Sequence, residues 1–344
     1  MWYMNILYTG LIPDWILRLV LRWITGSKIR QMARLSDAEQ RARRQALLEK
    51  LESSPIAIVP HLPNLQHYEV PPAFFQLVLG KRLKYSCCLW PAPDTTLDEA
   101  EEEMLDLTCQ RAELEDGMRV LDLGCGWGSL SLWIAENYPR CQITAISNSR
   151  DQVAFINQQA VSLGYENLTA RRVDANELAD ADLGRFERVL SIEMFEHMKN
   201  YRRLLDLISG LLLPGGKLFV HHFSHRKYAY EYEEADEGNW MAQTFFTGGT
   251  MPSDDLLLHF LGDLRLDGHW RVGGEHYRRT LRAWLDKMDS QQEAVSKVLA
   301  ETYRGENFRQ WWINWRLFFM ACEMTWGYKG GREYIVSHYL IQKP

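Results

Sequence analysis

The sequence lacks the cysteine patterns of a metal centre or a disulfide framework. Its 344 residues include six cysteines, with no C-x-x-C pair and no cluster of cysteine with histidine. We therefore expect no metal site, and free thiols of the kind that persist in the cytoplasm. The cysteines are at positions 87, 88, 109, 125, 141 and 322.

Excess positive charge, internal repeats and low-complexity segments are also missing. The formal net charge is −6, which argues against a dedicated nucleic-acid surface, so we expect no nucleic-acid partner. With 46% hydrophobic and 24% charged residues, the composition is that of a globular protein with one large core, or a core and a smaller cap.

No apolar run is long enough to predict a membrane span. The segment from Met1 to Ile24 is hydrophobic, but Asp14, Arg18 and Arg22 interrupt it and no small-residue cleavage site follows. Arg18 and Arg22 share one face of the predicted helix, and the other face carries Ile16, Leu19, Val20 and Trp23. This amphipathic pattern favours packing on the protein's own core, with contact to a membrane surface as the alternative.

Strands and helices alternate through the middle of the chain, which predicts a parallel sheet covered by helices on both faces. After the helix around Thr96–Arg111 and the strand that contains Asp122, the predicted elements are Ser129–Tyr138 (helix), Gln142–Ser147 (strand), Ser149–Leu163 (helix), Leu168–Val173 (strand), Phe186–Ile192 (strand), Tyr201–Leu213 (helix) and Lys217–Phe223 (strand). Pro214-Gly-Gly216 is predicted as the turn that closes the last helix.

The alternation stops after His225. Residues 226–276 are too long for a simple connection and predict a cap inserted over the site. Helices at Thr280–Tyr303 and Phe308–Trp326 and a closing strand at Glu333–Ile341 follow. The expected units are an N-terminal helical lid (1–112), a core (113–225), the cap (226–276) and C-terminal elements of the core (277–344).

A glycine loop follows the first core strand, in Val120-Leu-Asp-Leu-Gly-Cys-Gly-Trp-Gly128. Gly124, Gly126 and Gly128 let a ligand approach the backbone near a helix N-terminus. Dinucleotide sites use G-x-G-x-x-G, whereas this spacing is G-x-G-x-G with Asp122 inside the turn. A carboxylate repels a pyrophosphate but pairs with the ammonium of an amino-acid moiety, so the ligand that fits is S-adenosylmethionine.

Polar residues also follow the next strands. Asn148 and Gln152 come after the second strand and offer neutral hydrogen bonds to ribose hydroxyls, and Asp174 after the third is placed to accept from the adenine amino group. Each of them could instead cap a helix or a turn.

The densest set of ionisable groups follows the fourth strand. Glu193 and Glu196 are three residues apart, His197 is next to them, and Glu69 adds a carboxylate if its segment folds over the pocket. Crowded carboxylates attract and orient an ammonium, and His197 or a carboxylate can take the proton that an amine must lose before it attacks a methyl group. The alternative is that Glu193 caps a turn and His197 is structural.

These motifs resemble the cyclopropane fatty acid synthase superfamily of methyltransferases, and within it the plant coclaurine and pavine-type N-methyltransferases. The matching segments begin at Gln66 (QHYE), Leu83 (LKYSCC), Asp122 (DLGCGWGS), Ser191 (SIEMFEHMKNY), His221 (HHF) and Phe246 (FTGGTMPS). The resemblance implies a Rossmann-like class I methyltransferase core with a mostly parallel seven-stranded sheet, a helical N-terminal lid and a substrate cap.

The resemblance also implies roles for individual residues. The cofactor would contact Tyr85, Ser86, Asp122, Gly124, Gly126, Asn148, Gln152, Asp174, Ala175 and Ile192. In the amine-methylating branch, residues at the positions of Glu69, Glu193, Glu196 and His197 orient and deprotonate the nitrogen, with Tyr68 in the pocket wall.

The lipid-modifying branch instead holds a bicarbonate, whose ligands would be Cys87, Glu196, His221, the backbone of Phe223, and Tyr277. Glu193 distinguishes the amine-methylating branch from the lipid-modifying branch, because a carboxylate beside an apolar alkene chain would be desolvated without a partner. Cys322 aligns with a cysteine once proposed as catalytic in the lipid enzymes, and a buried structural cysteine is the favoured interpretation.

We therefore expect an enzyme that transfers a methyl group from S-adenosylmethionine to a small aromatic or cyclic amine. The alternatives are a lipid methyltransferase or cyclopropane synthase that touches the membrane surface, and a cofactor-binding protein without catalysis. Bicarbonate is expected only with the lipid reaction, and a homodimer is possible with any of the three.

Overall fold

The computed structural model describes residues 6–57, 70–232, 240–303 and 308–344. Tyr68 and Glu69, which the sequence nominates for the site, lie outside the described residues. So does the rest of the Gln66–Glu69 motif.

One seven-stranded sheet organises the chain, in the order β3-β2-β1-β4-β5-β9-β8. The five strands β1 to β5 run parallel to their neighbours, and β9 and β8 are antiparallel. The expected fold class is therefore confirmed. The strands are β1 (Arg119–Leu123), β2 (Gln142–Ser147), β3 (Leu168–Arg172), β4 (Phe186–Ile192), β5 (Leu212–His225), β8 (Arg265–Gly273) and β9 (Tyr334–Gln342), and a separate hairpin pairs β6 (Tyr230–Glu231) with β7 (Thr250–Met251).

Helices flank the sheet and extend beyond it. They are α1 (Asp14–Ala33), α2 (Asp37–Ser53), α3 (Pro72–Val78), α4 (Leu97–Arg111), α5 (Ser129–Asn137), α6 (Arg150–Leu163), α7 (Tyr201–Leu211), α8 (Trp240–Thr244), α9 (Gly274–Ser290), α10 (Gln292–Thr302) and α11 (Phe308–Trp326). Capping boxes start two of them: Ser36 with Glu39 at α2, and Thr96 with Glu99 at α4.

Alternate residues of the central strands face opposite layers, as the pleat requires. Val120 of β1 packs into the layer that contains α4, α5 and α6, whereas Leu121 packs with α2 and α7. Both side chains are fully buried. The polar ends of these strands therefore emerge between two apolar layers, at the sheet edge where the site forms.

The structure corrects three element boundaries. β8 belongs to the main sheet, so residues 265–273 are not part of a cap that extends to residue 276. Pro214-Gly-Gly216 is a bulge within β5, which already begins at Leu212. The helical stretch expected from Thr280 begins earlier, at Gly274, and breaks at Gln291.

The N-terminal helix α1 packs against α11, as favoured from the sequence, but with a different face. Arg18 Nε donates to the buried carboxylate of Glu323 at 3.1 Å, while Thr25, Gly26, Ile29 and Met32 are buried. Of the side predicted to be buried, Leu19 and Trp23 are more than half accessible and Val20 is 49% exposed, whereas Ile16 is partly buried. Among the described residues, no helix has the length and apolar character needed to span a membrane.

Candidate functional site

The glycine loop follows β1 and leads into α5. Gly124, Gly126 and Gly128 all have positive φ, at 81°, 53° and 80°. A Cβ on Gly124 would lie 2.7 Å from Met194 Cγ, and one on Gly128 would lie 2.6 Å from Ile156 Cγ1. At Gly126 a Cβ would meet no atom of the described residues within 4 Å, its chain neighbours aside. The outer glycines thus allow tight packing, and the middle one leaves room for a ligand.

A cavity of about 160 Å³ opens above this loop. Three polar atoms in its lining, Trp127 Nε1, Ser129 Oγ and Gln152 Nε2, are buried without a hydrogen-bond partner among the described residues. Because buried donors are almost always satisfied in native proteins, these atoms fit a ligand rich in acceptor oxygens and nitrogens. The cavity thus suits S-adenosylmethionine.

Nine of the ten cofactor-site candidates line this cavity: Tyr85, Ser86, Asp122, Gly124, Gly126, Asn148, Gln152, Ala175 and Ile192. Asp122 accepts a hydrogen bond from Ser131 Oγ, and burial raises its pKa to about 6. The tenth candidate, Asp174, is not among the lining residues. Its carboxylate instead accepts from Asn176 N at 2.8 Å and caps a short 3₁₀ helix, which was the alternative raised from the sequence.

Glu193 lies at the end of β4 in a backbone conformation that is unusual for glutamate, with a φ of 48°. Its carboxylate accepts from Cys87 N at 3.0 Å, Tyr277 Oη at 2.6 Å and the His221 ring at 3.3 Å. Burial raises the pKa of Glu193, while the hydrogen bonds from Tyr277 and Cys87 act in the opposite direction. A carboxylate has about four acceptor sites, so one is left unused by the residues that the structure describes and could bind a ligand N–H.

Glu196 is placed differently from the sequence expectation. It is fully buried, Phe223 N donates to its Oε1 at 2.8 Å, and Oε2 has no partner among the described residues. Burial, together with repulsion from Glu193, raises the pKa of Glu196 well above its ordinary value. Glu196 is not among the residues that line this cavity or the larger one described next.

A second, larger cavity of about 830 Å³ lies beside the first. Its lining is mainly apolar and aromatic, and it includes Phe223, Tyr277, Trp284 and Trp326 together with residues of α1. A volume of this size accommodates a small organic molecule. The two cavities share Tyr85, Glu193 and His197.

His197 therefore stands at the junction of the two cavities with Glu193. Burial lowers the pKa of His197 to about 4, although the Glu193 charge opposes this shift. The ring is neutral at physiological pH and can accept a proton or a hydrogen bond. Its ring contacts the Phe246 ring in an edge-to-face arrangement, with centroids 4.8 Å apart and planes at 61°.

The other nominated residues surround Glu193. Cys87 and His221 are fully buried, and burial lowers the pKa of His221 well below its ordinary value. The sequence reasoning missed Lys84, which is 3% exposed and donates to Cys87 O at 2.9 Å. It sits inside the Leu83–Cys88 motif, but nothing in a linear motif shows that a lysine is buried.

Comparisons with known proteins agree with this geometry. The family model described as mycolic acid cyclopropane synthetase matches residues 62–328. The (S)-coclaurine N-methyltransferase of Thalictrum flavum subsp. glaucum is 36% identical, over 97% of this chain and 93% of that protein. The cyclopropane-fatty-acyl-phospholipid synthase of Escherichia coli (strain K12) is 27% identical, over 70% of this chain and 59% of that protein.

Among solved structures, a coclaurine N-methyltransferase bound to N-methylheliamine and SAH superposes with a TM-score of 0.94. It is 34% identical, and the match covers 99% of this chain and 98% of that one. The cyclopropane synthase MmaA2 from Mycobacterium tuberculosis has a TM-score of 0.68 at 22% identity, with 83% and 99% of the chains covered, and supports the fold alone. The chain therefore belongs to the mycolic acid cyclopropane synthetase family, and it is an S-adenosylmethionine-dependent methyltransferase.

Proposed function

We propose that this enzyme methylates the nitrogen of a small aromatic or cyclic amine. The observation that carries the proposal is the position of Glu193 and His197, which lie where the glycine-loop cavity meets the aromatic cavity. The relatives named for amine methylation, at 33–36% identity over nearly the whole chain, support it.

The glycine loop and the Tyr85, Asn148 and Gln152 side chains would hold S-adenosylmethionine, which would supply a methyl group on a positively charged sulfur and leave as S-adenosylhomocysteine. Glu193 uses its remaining acceptor position to bind an N–H of the incoming amine and to aim the nitrogen at the junction. A neutral amine already presents its lone pair, and the neutral ring of His197 would accept the proton that the nitrogen releases as it is methylated. Alignment of donor and acceptor supplies most of the rate, up to ~7–11 kcal/mol in such reactions.

The remaining nominated residues have supporting roles in this proposal. Glu196 orients Phe223 and the turn after β4, and Cys87, His221 and Tyr277 hold Glu193. We also propose that residues 1–112 act as a lid and that the segment from residue 226 up to β8 acts as a substrate cap. The aromatic lining of the larger cavity favours an acceptor with an aromatic or cyclic body, because aromatic pairs add to simple area burial.

A panel of amines incubated with labelled cofactor tests the proposal. We expect label on nitrogen, and we expect Glu193→Gln to lower kcat/KM by about 100-fold while the Kd for S-adenosylhomocysteine stays unchanged. The control is Glu166→Gln, an exposed surface position. Unchanged turnover in Glu193→Gln would show that the role of this carboxylate is misassigned.

Transfer to membrane lipids is the second candidate, and one feature of α1 favours it. The exposed stripe of Trp15, Leu19 and Trp23 adjoins Val20 and Ile24, which line the aromatic cavity. A lipid reaction would use a bicarbonate held by Cys87, Glu196, His221, the Phe223 backbone and Tyr277. Vesicles of unsaturated phospholipid in the same assay separate the two, since label confined to the lipid fraction would replace amine methylation.

The proposed setting is the cytoplasm, where the six free cysteines of the chain stay reduced. The proposed partner is the amine alone, without nucleic acid. Size-exclusion chromatography with light scattering tests for a homodimer.

A further inference from the structure

A row of side chains runs from Glu193 to the end of α4. The His221 ring nitrogen Nε2 lies 3.3 Å from Glu193 Oε1, and His221 Nδ1 lies 2.9 Å from His338 Nε2. His338 Nδ1 in turn lies 2.8 Å from a terminal guanidinium nitrogen of Arg111. The two histidines face each other because the antiparallel register pairs His221 of β5 with His338 of β9.

The direction of every bond in this row follows from Arg111. A guanidinium donates hydrogen bonds and accepts none, so His338 Nδ1 must be the acceptor and its proton must be on Nε2. That proton points at His221 Nδ1, which must also accept. The proton of His221 is therefore on Nε2 and is donated to Glu193.

The same logic excludes an imidazolium in the row. A second proton on His221 would be on Nδ1, where it would face the Nε2–H of His338. His338 cannot move its own proton to Nδ1, because that nitrogen accepts the hydrogen bond from Arg111. Both rings are fully buried. The other charged or titratable groups that act on them are Lys84 and His222, and burial together with these neighbours lowers both histidine pKa values well below their ordinary range.

We propose that Arg111 is a positioning residue that sets the tautomers of His338 and His221 and thereby supplies Glu193 with a hydrogen bond from a neutral ring. The row does not conduct protons away, since it ends in a group that cannot accept one. Its effect is to hold the carboxylate in place without neutralising it. Glu193 therefore keeps its negative charge for a cationic or N–H-bearing acceptor. Only the kinetic consequence rests on the proposed amine methylation.

Nitrogen NMR of the protein labelled with ¹⁵N-histidine tests the tautomers directly. In the wild-type protein we expect an unprotonated Nδ1 and a protonated Nε2 on both rings, unchanged between about pH 6 and pH 8. The signals are assigned by their loss in His338→Gln and His221→Gln. A protonated Nδ1 on either ring of the wild-type protein would overturn the proposal, and this measurement needs neither activity nor a substituted Arg111.

Arg111→Met removes the donor and retains much of the side-chain length. We expect His338 to lose its single tautomer, kcat to fall about tenfold, as for loss of other supporting hydrogen bonds, and a new ionisation to enter the pH profile of kcat/KM. The Kd for S-adenosylhomocysteine should stay unchanged. Unaltered tautomers in this variant would also overturn the proposal.

Trp270→Leu is the matched control. The Arg111 guanidinium lies 5.2 Å from the Trp270 ring, so this change removes a packing partner of Arg111 but leaves the bond to His338. In Trp270→Leu the tautomers of His221 and His338 should match the wild-type pattern. A tautomer change as large as that in Arg111→Met would show that packing around Arg111, and not its hydrogen bond, sets the tautomers. If the tautomers behave as expected but no amine is methylated, the proposed function fails and the positioning role stands.

Discussion

Gly126 differs from its two neighbours in what surrounds it. Substituents on Gly124 and Gly128 would collide with Met194 and Ile156, whereas a Cβ on Gly126 would have no neighbour within 4 Å in the part of the chain that the structure describes, its chain neighbours aside. Gly126 lines the smaller cavity. Close packing therefore requires glycine at positions 124 and 128, whereas space for the ligand requires it at position 126.

Gly126→Ala should therefore weaken cofactor binding by at least about tenfold, or ~1.4 kcal/mol. Gly164→Ala is the control, because Gly164 also has positive φ (74°) and open space, but it ends α6 away from the cavity. Both variants should lose about 1–2 kcal/mol of unfolding free energy through backbone strain. Calorimetric titration with S-adenosylhomocysteine should separate them, and equal affinities would argue against the loop as the cofactor cradle.

The pH dependence of kcat/KM should follow the acceptor rather than His197. The lowered pKa of His197, about 4, keeps its ring neutral throughout a neutral or alkaline assay. The rise of kcat/KM on the alkaline side (the alkaline limb) should then report the pKa of the acceptor amine. Two acceptors whose amine pKa values differ by about one unit should give limbs whose midpoints are about one pH unit apart. A limb at the same pH for both acceptors would mean that an enzyme group controls deprotonation. His197→Gln should lower kcat by about 100-fold without moving the limb.

Sequence reasoning succeeded where one short segment contains the whole signal. The glycine loop is of this kind, as are Glu193 and His197, and these residues line the cavities, while their roles stay predictions. Burial cannot be inferred from a short segment: Glu196 is fully buried and accepts from Phe223 N, and its predicted catalytic role is untested. The Arg111–His338 bond joins residues 227 positions apart, and only the strand order brings them together.

At the scale of elements, Glu323 holds three helices together. Its carboxylate, 4% exposed, accepts from Arg18 of α1 at 3.1 Å and lies 3.9 Å and 3.8 Å from Arg278 and Arg282 of α9. Since α1 forms one wall of the aromatic cavity, this contact couples helix docking to the shape of the acceptor site.

Glu323→Gln should loosen α1 and raise the acceptor KM about tenfold, or ~1.4 kcal/mol. Unfolding free energy should fall by about 1–3 kcal/mol, because hydrogen bonds to charged groups are the stronger ones, while cofactor affinity should not change. Glu187→Gln, which breaks a partly exposed pair with Arg119, is the control and should cost under about 1 kcal/mol. A Glu323 variant with wild-type KM would show that α1 does not shape the acceptor site.

Elements with strong local signals were predicted well, and the edge of the sheet was not. β4 was predicted to the residue, although Glu187 and Arg188 interrupt its apolar residues. β8 was missed because it is an edge strand in which five of nine residues are exposed and three are charged, so that its sequence resembles a loop. Its place depends on pairing with β9, which follows some sixty residues later in the chain.

For the whole molecule, buried histidines and buried carboxyls have opposite effects on acid stability. His197, His221, His222, His225, His276 and His338 have lowered pKa values, so the unfolded chain binds their protons first as the pH falls below about 6.5, and stability is lost. Glu101, Asp122, Glu193 and Glu196 have raised pKa values, so their contribution is greatest below about pH 4 and declines as the pH rises.

Between about pH 6.5 and 4.5 the four carboxyls offset part of the loss from the six histidines, so the unfolding free energy should fall less steeply there than at lower pH. Below about pH 4 the carboxyls are protonated in both states and no longer offset the histidines. Asp254, whose pKa is held low by His269, Arg271 and Ser337 against its burial, then also loses its stabilising charge. Urea unfolding across this range should therefore show a shallow decline followed by a steep fall. A decline between about pH 6.5 and 4.5 as steep as that below about pH 4 would show that the four buried carboxyls provide no offset.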